Sequence, residues 1–218
     1  MCGRFELNIS KDKLIQKFDI DNWQLDNYKP RYNIPPTTNI PIIRDTGNNR
    51  AINYAHWGLI PSWAKDRKIG YKIFNARSET LSEKPSFRTA YKKRRCLIPA
   101  SGYYEWQKLD AKNKQPFWIG REDKEPFLMA GLYEDWTDNK TGELIESCTI
   151  ITRDAYPELS DIHSRVPVIL PNEYMQYWLA GKQDDFPTIE IDQLDYYPIS
   201  KEVGSPKNDY FFKPIDNV

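Results

Sequence analysis

Short apolar stretches bounded by glycine, proline and charged residues recur along most of the chain, and this pattern favours β-strands. The clearest candidates are rich in β-branched and aromatic residues; they are RCLIPASGYYEW, QPFWIG, EPFLMAGLYE, LIESCTIITR and RVPVILP. AINYAHWGLIPSW predicts a strand that runs into a loop, and RYNIPPTTNIPIIRD predicts a proline-rich segment that becomes extended. Because many of these stretches are adjacent in sequence, we expect antiparallel pairing.

Helical patterns are confined to three short segments. SKDKLIQKFDI places Leu14, Ile15 and Phe18 at helical spacing and offers Ser10 as an N-cap. PSFRTAYKKRR predicts a second short helix, and NEYMQYWLAG predicts a third that Gly181 ends. TIEIDQLDYYPIS is too short and mixed to assign. We therefore predict an α+β fold, with residues 1–218 forming one compact domain that has an antiparallel β-rich core and flanking short helices.

Composition excludes several classes of protein. Among 218 residues, 31 are Lys or Arg and 31 are Asp or Glu, so no global field points to a nucleic acid or a membrane partner. The first residues are polar and charged, unlike a signal peptide, and no apolar run approaches the length of a membrane span. We therefore expect a cytoplasmic protein.

The three cysteines, Cys2, Cys96 and Cys148, are far apart, and with only two histidines they form no metal-ligand spacing. A reduced protein with no disulfide, metal or other cofactor is the simplest expectation. Cys96 and Cys148 lie in apolar runs and are expected in the core.

Cys2 is the unusual feature of this sequence. Removal of Met1, as is common before a small residue, would leave an α-amine and a thiol on adjacent carbons, with reference pKa values of about 7.7–8.0 and about 8.5. Such a residue can attack an acyl carbon through its thiol, or form a Schiff base with an aldehyde and close a thiazolidine ring. Alternatively, Met1 stays and Cys2 is a small buried residue. Two neighbours favour a reactive role for Cys2. Gly3 lets a backbone or ligand approach closely, and Arg4 offers a forked donor for a phosphate or carboxylate.

Further motifs occur in order along the chain, and together they resemble one family. MCGRF, FNARSET (74–80), SGYYEW (101–106) and DIHSRVPVIL (161–170), supported by WGLIPSW (57–63) and KEVGSPKND (201–209), resemble the SRAP (SOS response-associated peptidase) family. The resemblance spans nearly the whole chain. It implies a compact α+β domain with a β-rich core and a positively charged cleft. It also implies a sensor of abasic sites in single-stranded DNA that crosslinks to the lesion through its N-terminal cysteine.

The resemblance assigns roles to individual residues. Cys2 matches the crosslinking cysteine, Asn75 the asparagine that orients it, and Glu105 the catalytic glutamate. His163 matches the histidine that assists ring opening and reversal of the crosslink. The expected contacts with DNA come from four further residues, which are Arg4, Arg77, Trp63 and Lys207. The expected partner is single-stranded DNA containing abasic sites, bound by a monomer at the nucleoid.

The chain departs from the family pattern at the tryptophans that wedge against the DNA bases. Family members can carry two adjacent tryptophans after the WG..P pattern, whereas here Ala64 follows Trp63, which implies a weaker or displaced wedge. Aromatic side chains can stack on bases, and Trp57, Trp106 and Tyr103 are further candidates, but we expect only Trp63 to be exposed. The dense basic run YKKRR (91–95) is interpreted as a solvated helix end.

The reaction at an abasic site requires proton transfers that Glu105 and His163 could carry out. An abasic deoxyribose is mostly a closed hemiacetal, and its opening requires proton transfer by a group such as Glu105 or His163. Asn75 can fix a hydroxyl without adding charge. Structural roles remain open: Glu105 could accept from neighbouring Tyr or Trp donors, and His163 could be a hydrogen-bonded loop residue.

Three other functions compete with crosslinking. Class II glutamine amidotransferases also begin with a processed cysteine, although this chain is too short for their synthase domain. A peptidase acting on its own N-terminus would use the same thiol. A non-covalent module for single strands would leave Cys2 inert.

Overall fold

Two β-sheets form most of the molecule in the computed structural model, which describes residues 2–47, 49–182 and 186–215. The strands in chain order are β1 (Phe5–Leu7), β2 (Asn22–Trp23), β3 (Arg31–Ile34), β4 (Asn39–Asp45), β5 (Arg50–Trp57), β6 (Asn75–Arg77), β7 (Arg95–Ala100), β8 (Gly102–Lys108), β9 (Lys114–Arg121), β10 (Phe127–Thr137), β11 (Leu144–Asp154), β12 (Arg165–Pro167), β13 (Ile169–Leu170) and β14 (Leu194–Pro198). The α-helices are α1 (Lys11–Phe18), α2 (Arg88–Lys93) and α3 (Met175–Leu179).

The sheets are largely antiparallel, as the adjacent apolar runs predict. One sheet has five strands in the order β14-β9-β8-β1-β3. The other has nine strands, along the path β12-β11-β10-β7-β4-β5-β2 with β6 and β13 attached to β11 and β10. A short parallel pairing of β11 with β5 closes the middle of this sheet into a barrel-like ring. With its few short helices, the molecule has the predicted α+β fold.

Helix α1 follows its sequence signals closely. The Ser10 hydroxyl accepts a hydrogen bond from the Lys13 amide at 3.3 Å, and Leu14 and Phe18 are buried. Helix α3 is shorter than the NEYMQYWLAG pattern predicts, because Asn172–Tyr174 forms a 3-10 turn before it. Gly181 lies just beyond the helix with a φ of +69°, so it ends the helix as expected.

The basic run YKKRR is only partly a solvated helix end, so that interpretation is wrong for its two arginines. Arg94 forms an ion pair with the buried Glu134 at 2.7 Å. Arg95 is itself buried, with its guanidinium 4.4 Å from the Tyr91 ring centroid and 4.5 Å from that of Trp178. Both arginines therefore stabilise the packing of α2 on the larger sheet.

All three cysteines are buried and form no disulfide, so the prediction that Cys96 and Cys148 lie in the core is confirmed. Among the described residues no cluster of His, Cys, Asp and Glu could hold a metal ion. Within that same part of the chain, every helix is too short or too polar to cross a membrane.

Candidate active site

Strand β1, which follows the N-terminus, lies in the five-stranded sheet between the edge strand β3 and the central strand β8. Phe5 pairs with Tyr103, and the Tyr104 amide donates to the Arg4 carbonyl at 2.9 Å. Continuing this antiparallel register places Gly3 level with Glu105. Cys2, one residue further, is fully buried, and its Sγ lies 3.9 Å from the Arg4 carbonyl oxygen. The predicted removal of Met1 concerns a residue outside the described part of the chain.

Glu105 is a nearly fully buried carboxyl group beside this N-terminal segment. It is 2% exposed, and burial raises its pKa to about 7. Burial, and next to it the charge of Glu105, raise the pKa of the Cys2 thiol, so the two groups are electrostatic neighbours. A carboxyl group that titrates near neutral pH can both take up and release a proton under working conditions. The geometry therefore suits Glu105 for acid–base chemistry at Cys2.

Successive side chains of β8 point alternately into two apolar clusters on the two faces of the sheet. Tyr103 belongs to the main core, together with Cys2 and Phe5. Tyr104 faces a second, smaller apolar cluster that includes Trp118. Because residues two apart on a strand share a face, Glu105 points to the same side as Tyr103. The sequence SGYYEW thus directs one tyrosine and the glutamate towards the N-terminal cysteine.

Asn75 is held at the start of β6, which runs parallel to β11. Its Nδ2 donates to the Phe74 carbonyl at 2.9 Å, and that carbonyl also accepts from Trp57 Nε1 at 2.8 Å and from the Ile150 amide at 3.1 Å. The Oδ1 atom of Asn75 is buried and has no hydrogen-bond partner among the described residues. A fixed amide with a vacant acceptor is suited to bind a hydroxyl or ammonium donor.

Trp57 connects the segment of Asn75 to that of Cys2. Its ring makes edge-to-face contacts with Phe5, at a centroid distance of 5.2 Å, and with Phe74, at 6.1 Å. Trp57 is fully buried, so the WGLIPSW motif contributes a packing residue here and not a surface for stacking bases.

His163 lies in the loop that precedes β12. Its Nδ1 lies 3.0 Å from the Arg165 amide nitrogen and 3.2 Å from the Arg165 carbonyl oxygen, so it accepts from the amide when the ring proton is on Nε2 and donates to the carbonyl when the proton is on Nδ1. Burial lowers the pKa of His163, and the positive charge of Lys114 acts in the same direction. The lowered pKa favours the neutral ring, in which one nitrogen donates and the other accepts.

An ion pair that the sequence analysis missed joins the Asn75 and His163 motifs. Arg165 donates to both carboxylate oxygens of Glu79, at 2.8 and 2.9 Å, and to the Thr152 carbonyl at 2.6 Å. Arg165 is buried, so this bidentate pair fixes the loop carrying His163 against the turn that follows β6. Opposite charges in FNARSET and DIHSR are the only signal in the sequence that could have indicated this contact.

The two arginines predicted to bind phosphate occupy different environments. Arg4 is half-buried, and its guanidinium donates to Asn33 Oδ1 at 2.8 Å and to the carbonyls of Val203 and Gly204 at 3.1 and 3.0 Å. Arg77 is exposed, with no hydrogen bond or ion pair of its side chain to the other described residues. Arg77 is thus available to an external anion, whereas Arg4 already stabilises the 203–204 turn.

Trp63 is 58% exposed, as predicted, with only a long contact of 3.4 Å from its Nε1 to the Pro85 carbonyl. Ala64 next to it is buried, and its carbonyl accepts from Trp136 Nε1 at 2.7 Å. A second outward-facing aromatic is therefore missing at position 64. Tyr103 is buried and cannot stack on bases, whereas Trp106 is half-buried.

Lys207 is exposed on the C-terminal loop. That loop is fastened to β3 by Asn33, whose Nδ2 donates to the carbonyls of Val203, Ser205 and Asn208 at 3.1, 2.9 and 2.7 Å. The same asparagine accepts from Arg4, so KEVGSPKND and MCGRF are in direct contact through one buried amide.

Comparison with known proteins agrees with this arrangement. A family model described as SOS response associated peptidase (SRAP) matches residues 1–206. Abasic site processing protein YoqW of Bacillus subtilis (strain 168) is 44% identical over 216 residues, covering 95% of this chain and 96% of that protein. Abasic site processing protein HMCES of Xenopus tropicalis is 30% identical over 255 residues, covering 95% of this chain and 76% of that protein.

The fold is also shared with a solved structure. A crystal structure of a Bacteroides thetaiotaomicron protein matches with a TM-score of 0.86 and 28% sequence identity, over 95% of this chain and 97% of that chain. The family-model match and the identity to curated relatives, both over most of the sequence, show that this chain belongs to the SRAP family.

Proposed function

We propose that this chain processes abasic sites in single-stranded DNA by forming a covalent crosslink through Cys2 after removal of Met1. The observation that carries the proposal is the placement of Glu105, a buried carboxyl group with a pKa of about 7, beside the Cys2 thiol. The names of the relatives, which are abasic site processing proteins, support the same substrate.

The proposed reaction begins with the abasic deoxyribose, whose aldehyde is released when a proton is transferred to the ring oxygen. The α-amine of Cys2 then adds to C1′ and water leaves, which gives an imine. Glu105 accepts the proton from the amine and returns one to the departing hydroxyl. The sulfur finally adds to C1′ to close a thiazolidine, so the product is the sum of protein and DNA minus one water.

In the proposed reaction Asn75 orients the reactants and His163 donates a proton. The unpartnered Oδ1 of Asn75 accepts a hydrogen bond from the amine or from a sugar hydroxyl, and so orients the two reactants. His163, in the neutral tautomer that carries its proton on Nε2, donates to the sugar oxygen when the ring opens or when the adduct reverses. The same thiol is also the nucleophile for any self-removal of the N-terminal residue, which is the activity in the family's name.

The proposed DNA contacts are phosphate binding and stacking. Arg77 and Lys207 are exposed and bind phosphates, Arg4 does so with the donors that its internal hydrogen bonds leave, and Trp63 stacks on a base next to the lesion. None of these contacts reads base identity, which fits a lesion that has lost its base.

The direct test is incubation with a single-stranded oligonucleotide that carries one abasic site, followed by denaturing electrophoresis and intact mass measurement. We expect an adduct whose mass equals the protein without Met1 plus the oligonucleotide minus one water. Cys2→Ala should abolish it, whereas Cys148→Ala, which removes an equally buried thiol, should not. A tetrahydrofuran analogue, which has no aldehyde, is the matched substrate control.

Three results would contradict the proposal. An adduct that still forms on Cys2→Ala would mean that another nucleophile reacts. Wild-type protein that binds the abasic strand without covalent attachment would favour a non-covalent binding module. Release of ammonia from glutamine by the wild-type protein, in the absence of any adduct, would favour the amidotransferase-like alternative.

A further inference from the structure

The hydroxyl of Tyr103 is buried in an unusual state. Tyr103 is 0% exposed, and its Oη has no hydrogen-bond partner among the described residues. Its neighbour Tyr104 shows the ordinary arrangement, with the hydroxyl donating towards Glu6 Oε2 at 2.8 Å and the Tyr32 carbonyl at 2.7 Å. A buried polar group without a partner lowers the stability of the fold, so a phenylalanine at position 103 would be the better structural choice.

The position of Tyr103 indicates what its hydroxyl serves. Its backbone pairs with Phe5, three residues from the reactive cysteine, and its side chain shares a face of β8 with Glu105. Cys2 and Tyr103 lie in the same core cluster. The groups that interact electrostatically with the Tyr103 hydroxyl are Cys2, Glu105 and Tyr156.

Of these three groups, Cys2 is the one that supplies the atom forming the new bond when the thiazolidine ring closes. Tyr156 donates from its own hydroxyl towards the Ile189 carbonyl and lies 3.1 Å from Thr188 Oγ1. Glu105 has interactions of its own within the protein. The contact of Cys2 Sγ within the described chain is with the Arg4 carbonyl, at the long distance of 3.9 Å.

We propose that the Tyr103 hydroxyl donates a hydrogen bond to the sulfur of Cys2 as the thiazolidine ring closes. This inference rests on the crosslinking function proposed above. In the closing step Glu105 gives its proton to the imine nitrogen, and the resulting carboxylate takes the S–H proton. The C–S bond forms at C1′ as the π electrons of the C=N bond move to nitrogen, which ends as a neutral amine. Negative charge develops on the sulfur in a site that excludes water, and a phenol donor stabilises it there.

Burial keeps the Tyr103 phenol protonated, because it raises the pKa of that group well above its ordinary value, with Cys2, Glu105 and Tyr156 adding to the effect. The hydroxyl therefore keeps its proton, and can donate it in a hydrogen bond, at neutral pH. Burial likewise raises the pKa of the Cys2 thiol, so loss of its proton is unfavourable and a hydrogen-bond donor to the sulfur assists that step.

Tyr103→Phe tests the proposal, with Tyr104→Phe as the matched control on the opposite face of the same strand. Reaction with an abasic single strand is stopped with borohydride, which reduces the imine and adds two hydrogens to the adduct mass, but leaves the thiazolidine unchanged. The mass ratio of the two adducts over time gives the ring-closure rate separately from imine formation. The rates are measured over a range of pH.

For Tyr103→Phe we expect imine formation at the wild-type rate and ring closure slowed by roughly 10- to 100-fold, with its pH profile moved to higher pH. Thermal stability should be equal to or higher than that of the wild type. Tyr104→Phe should be less stable but should close the ring normally.

Ring closure by Tyr103→Phe at the wild-type rate and pH profile would overturn the assignment, and so would an equal slowing of both steps. A wild-type protein that forms no adduct of either mass would instead refute the proposed function, and this inference with it.

Discussion

Replacement of Glu105 by glutamine should make the protein more stable and less active at the same time. The carboxyl group is 2% exposed, and its pKa of about 7 compares with an ordinary value of 4.5. A difference of about 2.5 pKa units at 1.36 kcal/mol each corresponds to about 3 kcal/mol of free energy of unfolding. Glutamine keeps the shape of the side chain but never ionises.

The sign of the pH dependence follows from the raised pKa. The folded protein holds the Glu105 proton more tightly than the unfolded chain does, so the stabilisation is fully present below pH 4.5. It is lost as the pH rises to about 7, because the buried carboxylate must then be charged. The stability of Glu105→Gln relative to wild type should therefore rise by about 3 kcal/mol between pH 4.5 and about pH 8, and remain constant above that.

Urea unfolding of both proteins at several pH values measures this difference directly. Glu134→Gln is the control, since it also removes a buried carboxylate but breaks the ion pair with Arg94, and it should destabilise the protein. A stability difference between wild type and Glu105→Gln that does not change with pH would refute the reasoning, because Glu105 would then be ionised without penalty. Crosslink formation by Glu105→Gln should fall by about 10²- to 10⁴-fold, and its higher stability would exclude unfolding as the cause.

Two other predictions address the proton donor and the phosphate contacts. His163→Ala should slow crosslink formation less than Glu105→Gln does, but should slow release more strongly, as followed by a chase with excess unlabelled abasic DNA; equal small effects on both phases would remove the division of roles. Arg77→Ala should reduce the salt dependence of single-strand binding by roughly 0.7 in slope without changing stability, because its guanidinium has no partner among the described residues. Arg4→Ala should lower the thermal stability as well, since three hydrogen bonds to Asn33, Val203 and Gly204 are lost; an unchanged slope for Arg77→Ala in titrations at several salt concentrations would mean that this residue does not contact phosphate.

Local patterns in the sequence predicted the strands and the short helices well. The N-cap of α1 at Ser10 and the helix-ending Gly181 are determined by interactions with residues only a few positions away, so they can be predicted from the sequence. The basic run 91–95 shows where this approach ends. Arg94 pairs with Glu134, and Arg95 contacts Trp178 in addition to the nearby Tyr91; Glu134 and Trp178 are distant in sequence and are identified only by the fold.

The candidate site also contains features that the sequence predicts and features that only the fold reveals. Cys2 and Glu105 could be selected from motifs, and the register of β1 on β8 then brings their segments side by side. The Glu79–Arg165 pair could not be predicted, because nothing in either motif specifies its partner. Nor could the lone hydroxyl of Tyr103, since an unsatisfied group is recognised only when its whole surroundings are known.

The hydrogen bonds from Arg4 to Val203 and Gly204 join the two ends of the polypeptide and thereby set the order in which the site can mature. The N-terminus leaves the ribosome first, whereas the carbonyls that hold Arg4 are synthesised about 200 residues later, which takes roughly 10–40 s at the usual rate of elongation. During that interval the Arg4 guanidinium has Asn33 as a partner but lacks the two carbonyls of the 203–204 turn. This contact is therefore one of the last to form as the chain is made, and the proposed removal of Met1 has that interval in which to take place before the contact is complete.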